Sequence, residues 1–177
     1  MNYCSHCGGR LAVHVPEGDD RPRHVCGDCD RIHYVNPKMV VGCVAEWEER
    51  ILLCRRAIEP RYGLWTLPAG YLEVGETVVE GVEREALEEA RARIEIIAPY
   101  TLLNLTFVGQ VYLMFRARLI DGEFGTGEES LDARLFDEHE VPWDDLAFTA
   151  VEDTLRHYFR DRAAGRFPFH IGDVSPG

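Results

Sequence analysis

The chain has 177 residues, 46% apolar and 28% charged, and its 31 Asp and Glu against 19 Lys and Arg give a net charge of −12. That length holds one ordinary domain plus a small appendage, and no run of about 18 apolar residues is present to form a membrane-spanning helix. The acidity argues against duplex nucleic acid as the main partner, because such affinity rests on Lys and Arg neutralising phosphates; small anionic substrates stay open, since bound metal ions invert the sign of a local site.

The first element is a cysteine framework. Cys4-x2-Cys7 and Cys26-x2-Cys29 are separated by 18 residues, the spacing of a zinc ribbon in which two knuckles close a tetrahedral Cys4 site with no position left open for catalysis. Gly8 and Gly9 permit the turn that aims backbone amides at the sulfurs. His6, His14, His24 and His33 surround this segment, and four thiolates make a histidine ligand unnecessary. A ribbon over residues 1–36 is too short to build its own apolar core, so the metal must hold it; residues 16–20 read as a mobile tip. Met1-Asn2-Tyr3-Cys4 lacks the basic and apolar pattern of a signal peptide, and a reducing, cytoplasmic compartment is expected, in which disulfides are disfavoured.

Asn36-Pro37 marks the boundary, because the residue before proline is pushed out of the helical region. Residues 39–47 and 51–57 read as two strands around a polar turn, with Cys43 and Cys54 as small core residues. Residues 64–70 read as a strand running into a tight loop at Gly70. A helix follows. Thr77 and Glu80 form a capping box, and Val79, Val82, Ala86 and Ala90 make a narrow apolar stripe. On an adjacent arc Glu85, Glu88 and Glu89 fall at i, i+3 and i+4, which places three carboxylates on one face. Like charges at that spacing destabilise an isolated helix by roughly 0.2–0.5 kcal/mol per pair, so the pattern makes sense where a divalent cation with hard oxygen ligands sits against it. Residues 93–103, 110–120 and 133–141 read as further strands, 121–130 as a polar loop with three glycines, 143–146 as a short helix and 149–164 as an amphipathic helix. Residues 165–177 read as an extended tail.

Gly70, Glu76, Arg84, Glu85, Ala86, Glu88, Glu89 and Ala92 match the Nudix box, G-x5-E-x7-R-E-U-x-E-E-x-G-U, and the chain resembles the Nudix hydrolases that carry an N-terminal zinc ribbon. Arg91 departs from the pattern, which has glycine there. Either the helix runs on, or Arg91 takes a left-handed conformation that costs a non-glycine residue about 1–2 kcal/mol. The resemblance implies an α/β fold, a Nudix-type α/β/α sandwich with a mixed sheet preceded by the small zinc ribbon. The divisions are 1–36 for the ribbon, 37–164 for the Nudix domain and 165–177 for the C-terminal tail.

The implied activity is hydrolysis of the diphosphate in a nucleoside diphosphate-linked substrate with Mg2+ or Mn2+, releasing AMP. ADP-ribose comes first and FAD second. The Ser-Gln-Pro-Trp-Pro-Phe signature of the NADH pyrophosphatases is absent from the region after the box, which demotes NADH and NAD-capped RNA. Carried over by position, Glu85, Glu88, Glu89 and the Gly70 carbonyl are metal ligands, and Glu76 with Arg84 braces the loop against the helix. Glu128 and Glu129 are the candidates for general base. Arg55 and Arg56 are candidates for phosphate contacts, and Tyr62, Trp65, Phe107 and Tyr112 for stacking on a base; each has an alternative role in packing. The rival readings are a non-catalytic nucleotide sensor and a ribbon-mediated nucleic-acid adaptor. A sensor is expected to have lost one of the carboxylates, and all three are kept. A homodimer fits the resemblance, although no residue marks its interface.

Overall fold

The computed structural model describes residues 1–175 and falls into two compact units, Met1–Pro37 and Lys38–Gly177. In the first, three short antiparallel strands, β1 (Leu11–His14), β2 (Arg23–Cys26) and β3 (Ile32–His33), carry a register that sets His24 opposite His33. Cys4, Val25 and Cys26 are the buried apolar residues described in this unit. Three side chains do not make a core, so cross-linking has to supply what burial cannot. The segment expected to be a loose tip is tied down: Asp19 accepts from Arg23 Nε at 2.8 Å and from the amides of Asp20 and Arg21.

The second unit is built on one mixed sheet. Its strands are β4 (Lys38–Trp47), β5 (Arg50–Arg56), β6 (Trp65–Thr66), β7 (Ala69–Tyr71), β8 (Ile94–Leu105), β9 (Gln110–Leu119), β10 (Ser130–Phe136) and β11 (His170–Asp173). The order is β10-β5-β4-β9-β8-β11, with β6 added to β5 and β7 to β4. Two pairings are parallel, β4 with β9 and β8 with β11. Alternation along β4 explains the layers. Val40 and Val44 point to one side, where they pack with Leu155, Tyr158 and Phe159 of α2 (Thr149–Ala163); Val41, Cys43 and Ala45 point to the other, against Val82, Ala86 and Ala90 of α1 (Val78–Ala90). A strand buried on both faces reads as a continuous apolar run, as 39–45 does. The result is a helix on each side of the sheet, the expected α/β/α sandwich.

α1 starts as its capping box dictates. Thr77 Oγ1 accepts from the Glu80 amide at 3.2 Å, and Glu80 returns the bond to the Thr77 amide at 2.7 Å. Of the stripe residues Val79 stays 37% exposed. Gly81 lies against the sheet in its place: a Cβ there would come within about 3 Å of Leu72 and Val41 side chains. The helix ends at Arg91, whose φ of 48° is left-handed and whose amide closes on Ala86 O and Leu87 O. The second of the two expected outcomes is therefore the observed one.

Three further segments depart from the sequence reading. The strand expected over 133–141 begins earlier and stops at Phe136, because Asp137 and Glu140 cap a 3-10 turn at Glu138–Glu140. The short helix expected over 143–146 is a 3-10 turn, Trp143–Asp145. The tail is not simply extended: β11 completes the sheet edge, and Val174 is buried with its amide on Asn104 O at 2.9 Å.

Candidate functional site

Close approach of backbone builds the site. The corner between β6 and β7 lies on β4 so tightly that a Cβ at Gly42 would sit 2.4 Å from Ala69 Cβ and 2.5 Å from Pro68 O. That contact carries Gly70 to the flank of α1. A Cβ at Gly70 would fall 2.3–2.5 Å from the three atoms of the Glu85 carboxyl, so that group lies directly on the Gly70 backbone. Next to it the Ala69 amide donates to Glu89 Oε2 at 3.0 Å.

Arg84 holds loop and helix together. Its Nε and Nη2 donate to the two Glu76 oxygens at 3.0 and 2.7 Å, a bidentate pairing, and Nη2 also reaches Tyr71 O at 3.0 Å. Its Nη1 lies 2.6 Å from Glu85 Oε1 and 3.1 Å from Glu88 Oε2. The Arg84 bond draws the Glu76 carboxyl down to about 2. Glu85 and Glu89 move the other way. They are 8% and 6% exposed, and burial raises both, Glu89 to about 8, with Glu85 and Glu129 nearby adding to it against the opposing pull of the Ala69 amide and Arg56. Glu85 shares the Arg84 guanidinium with Glu76 and Glu88, while Glu89 accepts from the Ala69 amide, so the cluster once ionised carries more negative charge than that one guanidinium meets. Carboxylates set against the Gly70 backbone are the hard-oxygen environment a divalent cation takes.

The loop between β9 and β10 closes the site from behind. Gly125 N donates to Ala90 O at 2.7 Å and Gly127 N to Glu89 O at 3.0 Å, so the loop satisfies carbonyls that the end of α1 leaves open. Glu129 O accepts from the Ala57 amide at 2.8 Å. Both loop glutamates are exposed, and the charge of Glu129 reaches Glu85 and Glu89.

From this acidic end runs a cleft of about 510 Å³, lined by Ala69, Gly70, Tyr71, Arg56, Tyr112 and Phe148 among others. Arg56 is 9% exposed; its Nε donates to Pro60 O at 3.0 Å and its guanidinium lies 5.1 Å from the Phe148 ring centre. Among the sequence candidates, Arg56, Phe107 and Tyr112 line the cleft. The others do not. Arg55 points to Gly63 O at 2.8 Å, as the alternation of a strand demands of its neighbour. Tyr62 stands on an exposed loop. Trp65 is 9% exposed in the core, edge-on to Phe136 at 4.9 Å. Residues not foreseen also line the cleft: Tyr71, Arg61, Gln110, Phe148 and Glu152. Tyr71 follows the box glycine directly and could have been named from that position; Arg61 and Phe148 lie outside the strands and helices and carry no periodic signal.

In the ribbon unit, the ligand atoms of Cys4, Cys7, Cys26 and Cys29 all lie within 4.8 Å of one another. The Cys4–Cys29, Cys7–Cys26 and Cys7–Cys29 separations are 3.8, 3.4 and 3.5 Å. Tetrahedral zinc with Zn–S of about 2.3 Å requires about 3.8 Å between sulfurs, so the four thiols fit that ion. The His6 amide at 3.4 Å and His33 Nε2 at 3.2 Å both approach Cys4 Sγ.

A mixed sheet between two helices, with one helix presenting buried acids at the end of a nucleotide-sized cleft, defines the structural class of the Nudix fold. Comparison with known proteins agrees. The Nudix N-terminal zinc-ribbon family matches residues 2–35 and the NUDIX domain family residues 36–161. The chain belongs to the Nudix family. The crystal structure of a NUDIX hydrolase from Nitrosomonas europaea is 50% identical and superimposes with a TM-score of 0.95 over 99% of this chain and 100% of that one. An ADP-ribose pyrophosphatase from Methanocaldococcus jannaschii is 32% identical over 131 residues, 72% of this chain and 76% of that protein. The NAD-capped RNA hydrolase NudC of Vibrio parahaemolyticus is 29% identical over 166 residues, 91% of this chain but 62% of NudC. Another NudC, from Photobacterium profundum, is matched over 47% of its length, so the chain spans about half to three fifths of such relatives.

Proposed function

We propose that the protein is a metal-dependent pyrophosphatase that cuts the diphosphate of a nucleoside diphosphate-linked substrate, with ADP-ribose first and FAD second, and releases AMP. The observation that carries this reading is that buried Glu85 and Glu89 lie against Gly70 and Ala69 of the cleft wall, along which a buried arginine, Arg56, also stands. Acids alone would repel a diphosphate. Glu85, Glu88, Glu89 and the Gly70 carbonyl would hold Mg2+ or Mn2+. When bound, such an ion polarises phosphoryl oxygens and lowers the pKa of a coordinated water.

The rest of the chemistry falls to side chains. Arg56 is oriented by Pro60 O and Phe148, which leaves its terminal nitrogens for phosphate oxygens. Arg84 fixes the positions of Glu85 and Glu88 relative to Gly70. Glu129 is the general base of this proposal: it takes the proton from water as the water oxygen bonds to phosphorus and the bridging P–O bond breaks. Its support is its charge reach to Glu85 and Glu89. Tyr112, Phe107 and Tyr71 offer rings for a base. The named ADP-ribose pyrophosphatase relative favours ADP-ribose, and the NudC relatives keep NADH in the test.

The deciding experiment measures AMP release from ADP-ribose, FAD, NADH, diadenosine polyphosphates and a sugar nucleotide, with Mg2+ or Mn2+, for the wild type and Glu89→Gln. Rapid AMP formation from ADP-ribose or FAD, lost in the variant, is expected. Nucleotide binding without AMP release from any substrate would overturn the enzyme reading in favour of a sensor.

A further inference from the structure

On the α2 side of the sheet, on elements that carry none of the acidic-helix residues, five groups from three elements meet. Asp161 of α2 accepts at Oδ2 from Tyr100 OH of β8 at 2.7 Å and from His170 Nε2 of β11 at 2.5 Å. The His170 ring stacks on that of His157, one turn back on α2, with centres 4.0 Å apart and planes 21° from parallel. Arg160 Nη2 lies 2.5 Å from His157 Nδ1. A guanidinium nitrogen only donates, so Nδ1 accepts, carries no proton, and the His157 ring is neutral.

His170 is also the first residue of β11, whose register runs from Thr101 to Asn104 on β8. β8 continues into Leu105, and Leu105, Phe107 and Val108 form part of the cleft wall. The imidazole stack thus stands at one end of the strand that braces this wall.

We infer that His157 and His170 form a proton-sensitive latch: with His157 neutral, β11 is held on β8 beside the cleft wall, and a proton on His157 drives the stacked rings apart and releases the strand. A proton on Nδ1 would face the Arg160 N–H and leave two rings competing for one carboxylate. The charged groups that face His157 are Arg160, Asp161 and Asp153 on α2 and His170 on β11, with Arg156 beside Asp153. Behind the carboxylate lie Tyr100 of β8 and Arg116 of β9. Burial, followed by His170 and Arg160, already holds His157 below the ordinary histidine value of 6.5. A base lowered in the folded state favours the latch fully above its unfolded pKa and loses that contribution as pH falls through the folded one. Burial pushes Asp161 up, but the His170 and Tyr100 bonds outweigh it and keep that carboxyl below its usual value. Asp161 therefore stays ionised across this window, and His157 is the switching group.

Amide hydrogen exchange on the intact protein tests this, with protection of residues 171–174 referenced to β9 amides at about pH 7.5 and about pH 5. Protection of β11 should fall several-fold relative to β9 on acidification. His157→Gln keeps an acceptor for Arg160 and cannot charge, so its β11 should stay protected at both values. His157→Lys should show the released strand even at pH 7.5. Protection of wild-type β11 that does not change with pH would overturn the latch, as would acid release in His157→Gln equal to the wild type. The wild-type comparison decides alone if the variants do not fold, and neither readout depends on catalytic activity.

Discussion

Gly127→Ala tests whether the loop that carries Glu129 must dock on the end of α1. An added Cβ would lie 1.8 Å from Glu88 O and 2.7 and 2.8 Å from the carbonyl carbons of Glu88 and Glu89, where real contacts essentially never fall below 3.0 Å. The obstacle is helix backbone and cannot swing aside, so the loop must retreat by about 1.5 Å, an overpacking strain of about 1–3 kcal/mol. Retreat breaks the Gly127 N–Glu89 O bond of 3.0 Å and strains the Gly125 N–Ala90 O bond of 2.7 Å, each worth about 1 kcal/mol. The combined loss of about 3–5 kcal/mol lowers Tm by roughly 6–20 °C at about 2–4 °C per kcal/mol. Gly125→Ala is the control, because its Cβ would meet only Arg91 Cβ at 3.8 Å, an ordinary contact. Thermal unfolding gives the stability comparison. AMP release well below either Tm gives the catalytic one, in which a displaced Glu129 should lower kcat by about 10²-fold. If Gly127→Ala melts and turns over like Gly125→Ala, the docked loop is not what positions the proposed base.

Three further outcomes follow from the structure. Glu89→Gln replaces a buried acid by a neutral isostere, so in EDTA its Tm should equal or exceed that of the wild type while the rise in Tm on adding Mn2+ is lost; a variant that still gains stability from Mn2+ would remove Glu89 from the ligand set. Cys26→Ser should release zinc, and His33→Ala should weaken zinc retention about 10–100-fold against a competing chelator, whereas unchanged retention in His33→Ala would reduce the His33–Cys4 contact to packing. Asp161→Asn should cost about 1–3 kcal/mol at neutral pH by weakening the Tyr100 and His170 bonds. Because the Asp161 carboxyl is held below its usual value, its stabilisation is present above about pH 4 and lost as pH falls further. The variant should therefore show a shallower acid limb in thermal scans from about pH 5 to pH 2, and an unchanged limb would show that Asp161 does not govern it.

What was legible in the sequence was what short-range physics writes locally. The Thr77–Glu80 box and the Val82, Ala86, Ala90 spacing specify α1, its start and its buried side without reference to any partner. The four cysteines likewise specify their own geometry. Arg56 and Arg55 show the limit: alternation says that one of them faces inward, but which one depends on how β5 sits in the sheet. Trp65 was a candidate for stacking because an exposed aromatic and a buried one look the same in sequence. Its burial comes from Phe136, about 70 residues away. β11 was missed for a related reason. Its four residues, His-Ile-Gly-Asp, show no strand propensity worth the name, and the ladder on β8 that orders them is not encoded in their own pattern. The end of α1 was undecidable locally, because Arg91 takes the left-handed conformation where the loop around Gly125 and Gly127 docks.

The parallel pairing of β4 with β9 sets Lys38 against Gln110 and Glu46 against Arg118, and it has a kinetic meaning. β5, the Gly70 corner, α1 and β8 all lie between the two strands in sequence, so this pairing carries a large loop-closure cost and is expected late. Tyr112 enters the cleft on β9 and Tyr71 on β7, which itself lies on β4. The cleft that these two tyrosines line is therefore incomplete in any partly folded form that lacks this one junction, even one whose α1 is complete. A chain arrested before residue 110 would present the three box glutamates with no pocket to serve.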